Sequence, residues 1–224
     1  MDSIIDILLF LERMSTIAKP HQARLLEEII GLLIDDFPVL PKGMTWNIYT
    51  PEYSNTETLR NGVLAVLTEV DKQWVPHLSV NKKWDGLMGY LNRVFSDGLI
   101  AIIKEDQVIG FVAYRQFYKD EEYEGPYLST VAVLPKFQGT GLGKKLIKAC
   151  LAHYKRNDIR SVVLTTWSTN PACILYEQLG FREIKRIENA RGPGIDTIYY
   201  QNKFIEPSVH SAASAFSHQQ DSYN

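Results

Sequence analysis

Between Tyr127 and Ala149 the chain reads YLSTVAVLPKFQGTGLGKKLIKA, and its chemistry lies in three alternate glycines, Gly139, Gly141 and Gly143. A mostly apolar run, Leu128 to Leu134, precedes them and stops at Pro135. Beyond them Leu142, Leu146, Ile147, Cys150 and Leu151 recur at helical spacing. The pattern predicts strand, tight loop, helix. Such a loop leaves backbone N–H groups without partners at the positive end of a helix dipole, and the missing side chains let a phosphate approach within hydrogen-bond distance. The stretch is a candidate pyrophosphate cradle. A Walker loop is excluded, because Gln138 stands where its first glycine belongs and Lys145 where a Ser or Thr must follow the lysine. A G-x-G-x-x-G fingerprint fails from both Gly139 and Gly141. A second stretch, Asp120-Glu121-Glu122-Tyr123-Glu124, sets four carboxylates in five positions. Its default reading is a solvated loop; the functional alternative is a rim that attracts a cationic amine, with Glu124 at the mouth of the strand to take its proton.

The loop Gln138-Gly139-Thr140-Gly141-Leu142-Gly143 resembles the [RQ]-x-x-G-x-[GA] acyl-CoA loop of the GNAT acyltransferase superfamily, with Gln138 in the first place. Downstream, Asn170 to Phe181 resembles the other signature of that superfamily, N-x-x-A-x-x-x-Y-x-x-x-G-F. Ala172, Tyr176, Gly180 and Phe181 fall in place, while Thr169 occupies the Asn position and Asn170 comes one residue late. The resemblance covers roughly Thr45 to Phe204. It implies a mixed α/β domain whose mostly antiparallel sheet is splayed at the central strands and flanked by helices. It also implies transfer of an acetyl or other short acyl group from CoA to a primary amine, directly in a ternary complex.

The same resemblance distributes roles. The amides of Gln138, Gly139, Thr140, Gly141, Leu142, Gly143 and Lys144 would hold the pyrophosphate of acetyl-CoA, with the Lys144 or Lys145 charge nearby. Free backbone groups at Val131 and Val133 would bind the pantetheine arm like an added strand. Tyr176 would be the general acid at the CoA sulfur, since a phenol of pKa about 10 stays protonated at pH 7; the plain alternative is a core tyrosine bonded to a backbone carbonyl. Asn170 would hold the loop or the pantetheine, or simply cap a helix. Trp74, His77, Arg191 and Asp196 would border the acceptor; Trp74 reads first as a half-buried anchor, and Arg191 and Asp196 also read as an ordinary charged turn. The implied acceptor is a small-molecule or peptide amine. The rival from another class is a non-catalytic acyl-CoA sensor or partner module, against which an intact Tyr176 speaks.

The elements that must position these groups follow from periodicity. Ser3 to Ala18 and Leu25 to Phe37 are amphipathic and predict a helical extension over residues 1–42, which either covers the main domain or pairs it with a second copy as a homodimer. The main domain spans 43–205. Met44 to Tyr49 predicts a strand, Asn55 to Lys72 and Trp84 to Phe95 helices, and Gly98 to Lys104 with Gln107 to Phe117 a hairpin. Ser161 to Thr166 predicts a buried strand, Pro171 opens a helix that Gly180 stops, and Phe181 to Glu188 with Ile195 to Phe204 predict the last two strands. The tail, 206–224, is rich in Ser, His, Gln and Asn and predicts disorder.

A length of 224 residues with 45% hydrophobic content supports one domain with a sizeable core, and a formal charge of −2 gives no pull toward nucleic acid or an anionic membrane. The two cysteines, Cys150 and Cys173, stand in no metal-binding spacing, so no metal is expected. No export signal is read at Met1-Asp2-Ser3, and a cytoplasmic setting is expected.

Overall fold

The structure, a computed structural model, describes residues 37–49, 57–81, 83, 85–96, 98–157 and 159–204. The two leading helices expected before Phe37, the tail from 206, and Trp84 lie outside the described residues. Seven strands form one sheet in the order β1-β2-β3-β4-β5-β7-β6. They are β1 (Met44–Tyr49), β2 (Gly98–Lys104), β3 (Gln107–Lys119), β4 (Glu124–Val133), β5 (Ser161–Trp167), β6 (Arg182–Ile187) and β7 (Thr197–Lys203). Every neighbouring pair is antiparallel except β4 with β5, which run parallel.

Helices cover both faces, which is why β3 is buried without interruption from Val108 to Tyr114. On one face α1 (Glu57–Val70) turns Val63, Val66, Leu67 and Val70 inward at three- and four-residue spacing, and α2 (Gly86–Phe95) adds Tyr90, Leu91, Val94 and Phe95. On the other, α3 (Leu142–Arg156) buries Leu142, Leu146, Ile147, Cys150 and Tyr154. A short helix, α4 (Ala172–Gln178), follows β5. Side chains of this size each gain about 1.5–3 kcal/mol on full burial, so packing rather than helix propensity holds these elements.

Two irregularities of the sheet matter. The register of β3 against β4 shifts between Ala113 and Tyr114, which pair with Thr130 and Leu128 and leave Ser129 unopposed as a bulge. The Ser129 hydroxyl donates to the Ala113 carbonyl at 3.1 Å, and from α3 the Tyr154 hydroxyl lies 2.8 Å from the Arg115 carbonyl and 3.0 Å from that of Tyr127. Just beyond, β4 and β5 part: their only registered pair is Tyr127 with Val163. The sheet is therefore split along its middle over the C-terminal halves of its two parallel strands.

The acidic stretch is tighter than the solvated loop expected of it. β3 runs on to Lys119 and β4 begins at Glu124, earlier than Leu128, because the Asp120 carboxylate accepts the N–H groups of Glu122 and Tyr123, both at 2.8 Å, and closes a hairpin turn. At the other end of the sheet the last two strands are shorter than their apolar patterns suggested, leaving residues 188–196 as a loop.

Candidate active site

The glycines of the loop do what their positions demand. Gly139 and Gly141 have φ of +75° and +85°, and a Cβ at either would meet nothing within 4 Å, so both face open space. Gly141 caps α3 without a side-chain bond. Lys145 is the first residue whose N–H finds a helical acceptor, the Gly141 carbonyl at 3.1 Å. From Gly139 through Lys144, six consecutive N–H groups have no acceptor among the described residues. A row of amides at the N-terminus of a fifteen-residue helix suits an anion. Lys144 is exposed, whereas Lys145 reaches away and donates to the Val39 carbonyl at 2.7 Å.

Gln138 contributes through its side chain. Its Nε2 donates to the Val133 carbonyl and to Gln73 Oε1, each at 2.9 Å, tying the loop both to the end of β4 and to the segment that follows α1. The Leu134 N–H donates to the Ile109 carbonyl of β3, so by the alternation of a strand the amides of Val131 and Val133 face the opposite edge, which is the gap. Of those groups the Val133 carbonyl is taken by Gln138.

Tyr176 projects from α4, its ring against Phe181 and Tyr200. Burial pushes its phenol well above the ordinary value, helped by Cys173 and by the phenols of Tyr127 and Tyr90. Tyr90 belongs to α2, and Tyr127, on β4, packs with Val163 and Tyr199. No protein group bonds the Tyr176 hydroxyl among the described residues, and the buried side-chain atoms without partners are Tyr114 Oη and His153 Nε2 alone, so the Tyr176 oxygen keeps contact with open space.

The opposite wall of the gap is aromatic. Tyr90 shares a 2.7 Å hydrogen bond with Thr130, and desolvation raises it to about 12; Tyr127 shares one of 2.5 Å with Thr165. Trp74 packs on Tyr90 at 5.6 Å and on Trp167 at 5.7 Å, and the Arg191 guanidinium sits over Trp167 at 5.5 Å. Arg191 donates to the Val75 carbonyl at 2.9 Å and to Thr197 Oγ1 at 3.2 Å, which draws the loop between β6 and β7 onto the segment after α1.

The remaining residues named from the sequence lie elsewhere or are otherwise engaged. Glu124 is exposed, ion-paired with Lys119, and five residues ahead of the bulge, roughly 16 Å along the strand. Asp120 is held by Tyr118 and Tyr199, both at 3.0 Å, and Glu122 by Lys185, so three of the four carboxylates in the acidic stretch are engaged. Asn170 spends its side chain locally: Nδ2 donates to Thr166 Oγ1 at 2.7 Å, and Oδ1 accepts the Ala172 N–H at 2.9 Å. Asp196 accepts from Arg186 and from the Asn189 N–H, both at 3.0 Å, and shapes its own loop. His77 is exposed. Tyr90, Tyr127, Thr130 and Trp167 were not singled out from the sequence; the signal available was two threonines set among apolar strand residues.

A seven-stranded mixed sheet opened between its parallel neighbours, with a bare amide row at one end of the opening and a phenol at its side, defines an acyl-CoA-type transferase framework. Residues 45–181 match the Acetyltransferase (GNAT) family, and the chain belongs to it. It is 34% identical over 85 residues to the [ribosomal protein bS18]-alanine N-acetyltransferase of Haemophilus influenzae, covering 38% of this chain and 55% of that protein. It is 31% identical over 161 residues to the mycothiol acetyltransferase of Actinosynnema mirum, covering 70% of this chain and 50% of that one. The chain thus spans about half the length of these relatives. Among solved structures, yncA from Salmonella typhimurium, determined with its cofactor acetyl-CoA, shares the fold with a TM-score of 0.53 at 17% identity, over 75% of this chain and 98% of its own. Among the described residues no helix is long and apolar enough to cross a membrane, and no cluster of His, Cys, Asp and Glu could hold a metal.

Proposed function

We propose that the chain transfers the acetyl group of acetyl-CoA to a primary amine, with Tyr176 as the general acid. Acetyl-CoA supplies an activated thioester carbonyl. The chain's residues fit that cosubstrate: the N–H row from Gly139 to Lys144 suits a pyrophosphate, and the outward amides of Val131 and Val133 suit an extended amide-bearing arm laid into the gap. The carrying observation is the Tyr176 hydroxyl, enclosed by protein yet bonded to none of it among the described residues. A phenol raised by burial is fully protonated at neutral pH and holds a proton ready for a departing thiolate. Glu124, exposed and paired with Lys119, is poorly placed to take the proton of the amine, which solvent at the mouth of the gap can accept.

The test is Tyr176→Phe, followed by thiol release from acetyl-CoA with an amine panel and by acetyl-CoA binding. Turnover should fall by roughly 100-fold, within the range for loss of a general acid, while binding changes by less than about twofold. Equal losses in both would remove the acid role.

A further inference from the structure

We infer that Arg191 is the acceptor-recognition residue of this site and that the acceptor is a small amine carrying a carboxylate, as in a free amino acid; this rests on the amine-transfer reading above. Arg191 is a largely enclosed cation with no carboxylate in salt-bridge reach among the described residues. Desolvation lowers its pKa, and the groups that oppose this are the phenols of Tyr127, Tyr90 and Tyr199, not acids. Taking a guanidinium out of water without an anion is unfavourable unless something else compensates. Here the Trp167 face and two neutral acceptors, the Val75 carbonyl and Thr197 Oγ1, hold it.

Those two acceptors use the Nε and one terminal nitrogen, and a guanidinium has five N–H donors. The remaining N–H groups form part of a planar fork that matches a carboxylate. Position adds direction. Arg191 lies over the Trp167 ring, Trp167 packs through Trp74 onto Tyr90, and Cys173, on the helix that carries Tyr176, donates to the Trp167 carbonyl at 3.6 Å, so the fork and the helix of the proton donor adjoin the same tryptophan. The other cation within reach of the Tyr90 and Tyr127 phenols, Arg93, is turned onto the Tyr118 ring at 5.7 Å. One unmatched cation with aromatic walls fits a monoanionic planar group better than a doubly charged phosphate. The acidic stretch that could have called for a cationic acceptor has its Asp120, Glu122 and Glu124 already engaged.

The experiment compares three matched acceptor series, amino acids, their carboxamides and their decarboxylated amines, for thiol release from acetyl-CoA. In parallel, binding is read by the fluorescence of the tryptophans, two of which line the gap. The wild-type protein should favour the acids over the carboxamides by at least tenfold in kcat/KM and in binding. Arg191→Met should collapse that ratio toward one, and Arg191→Lys should keep part of it, with thermal melts confirming that both fold. Carboxamides bound and turned over as well as the acids, or an Arg191→Met variant that loses all three series equally, would reduce Arg191 to a strut between the loop and Val75 and overturn the inference. Acids that bind in an Arg191-dependent way without any turnover would instead sink the transfer reading and leave this one standing.

Discussion

At the scale of single residues, both the proposed chemistry and the stability of the fold turn on side chains whose partners are missing or unusual. Tyr176 is one. His153 is another: its ring lies 4.5 Å from that of Tyr114, its Nε2 is buried without a partner, and burial, with Arg156 adding repulsion, lowers its pKa from 6.5 to about 4. As pH falls below 6.5 the unfolded chain takes up a proton that the folded chain refuses until about 4. The contribution of this histidine to stability is therefore complete above 6.5 and is lost between there and 4, on the order of 3 kcal/mol in all. Denaturant midpoints at pH 7 and pH 5 should differ more for the wild-type protein than for His153→Phe; identical slopes would show that His153 is protonated in the fold. The place of Tyr176 on a short helix ahead of Phe181 was legible in the sequence because its spacing to Gly180 and Phe181 is local. Arg191 could be named but not understood, since its partner Val75 lies 116 residues away. Asp120 misled for the same reason: nothing beside it in the sequence reveals that Tyr199, from another strand, bonds its carboxylate.

At the scale of elements, strand, glycine loop and helix were legible because each is written in contiguous residues: an apolar run, alternate glycines and a three-four repeat. Conformation separates the glycines. Gly141, at φ +85°, cannot become alanine without entering a left-handed conformation that costs about 1–2 kcal/mol. Gly143 is helical, and its Cβ would lie 4.0 Å from Leu175 Cδ2, an ordinary contact. Gly141→Ala should lower the melting temperature and Gly143→Ala should not, which a pair of thermal melts decides. The bulge is the element the sequence hides, because Ser129 reads as one more strand residue until the register of its neighbour is known. Tyr154→Phe, which removes the hydroxyl beneath it, should destabilise the fold by about 1 kcal/mol or more and reduce turnover, since β4 is then less firmly held away from β5.

At the scale of the whole molecule, the sheet is two half-sheets, β1 to β4 and β5 to β7, meeting at one registered pair. A ligand laid into the opening touches both halves and binds only the folded state. At a hundred times its dissociation constant, acetyl-CoA should stabilise the protein by about 2.7 kcal/mol, whereas ATP and NAD, whose cradles the loop does not match, should leave the melt unmoved. Amide exchange should slow on both sides of the opening together; protection confined to one half would mean that the cosubstrate lies elsewhere.

The paired amides of Gln73 and Gln138 join the glycine loop, the proposed pyrophosphate cradle, to the residue next to Trp74, one wall of the proposed acceptor chamber. Under the proposed function, settling of that loop around a diphosphate is felt where the amine would dock. Steady-state kinetics should then show compulsory sequence, the thioester entering ahead of the amine and the acylated product leaving ahead of the thiol, and Gln73→Ala should relax that sequence toward random entry.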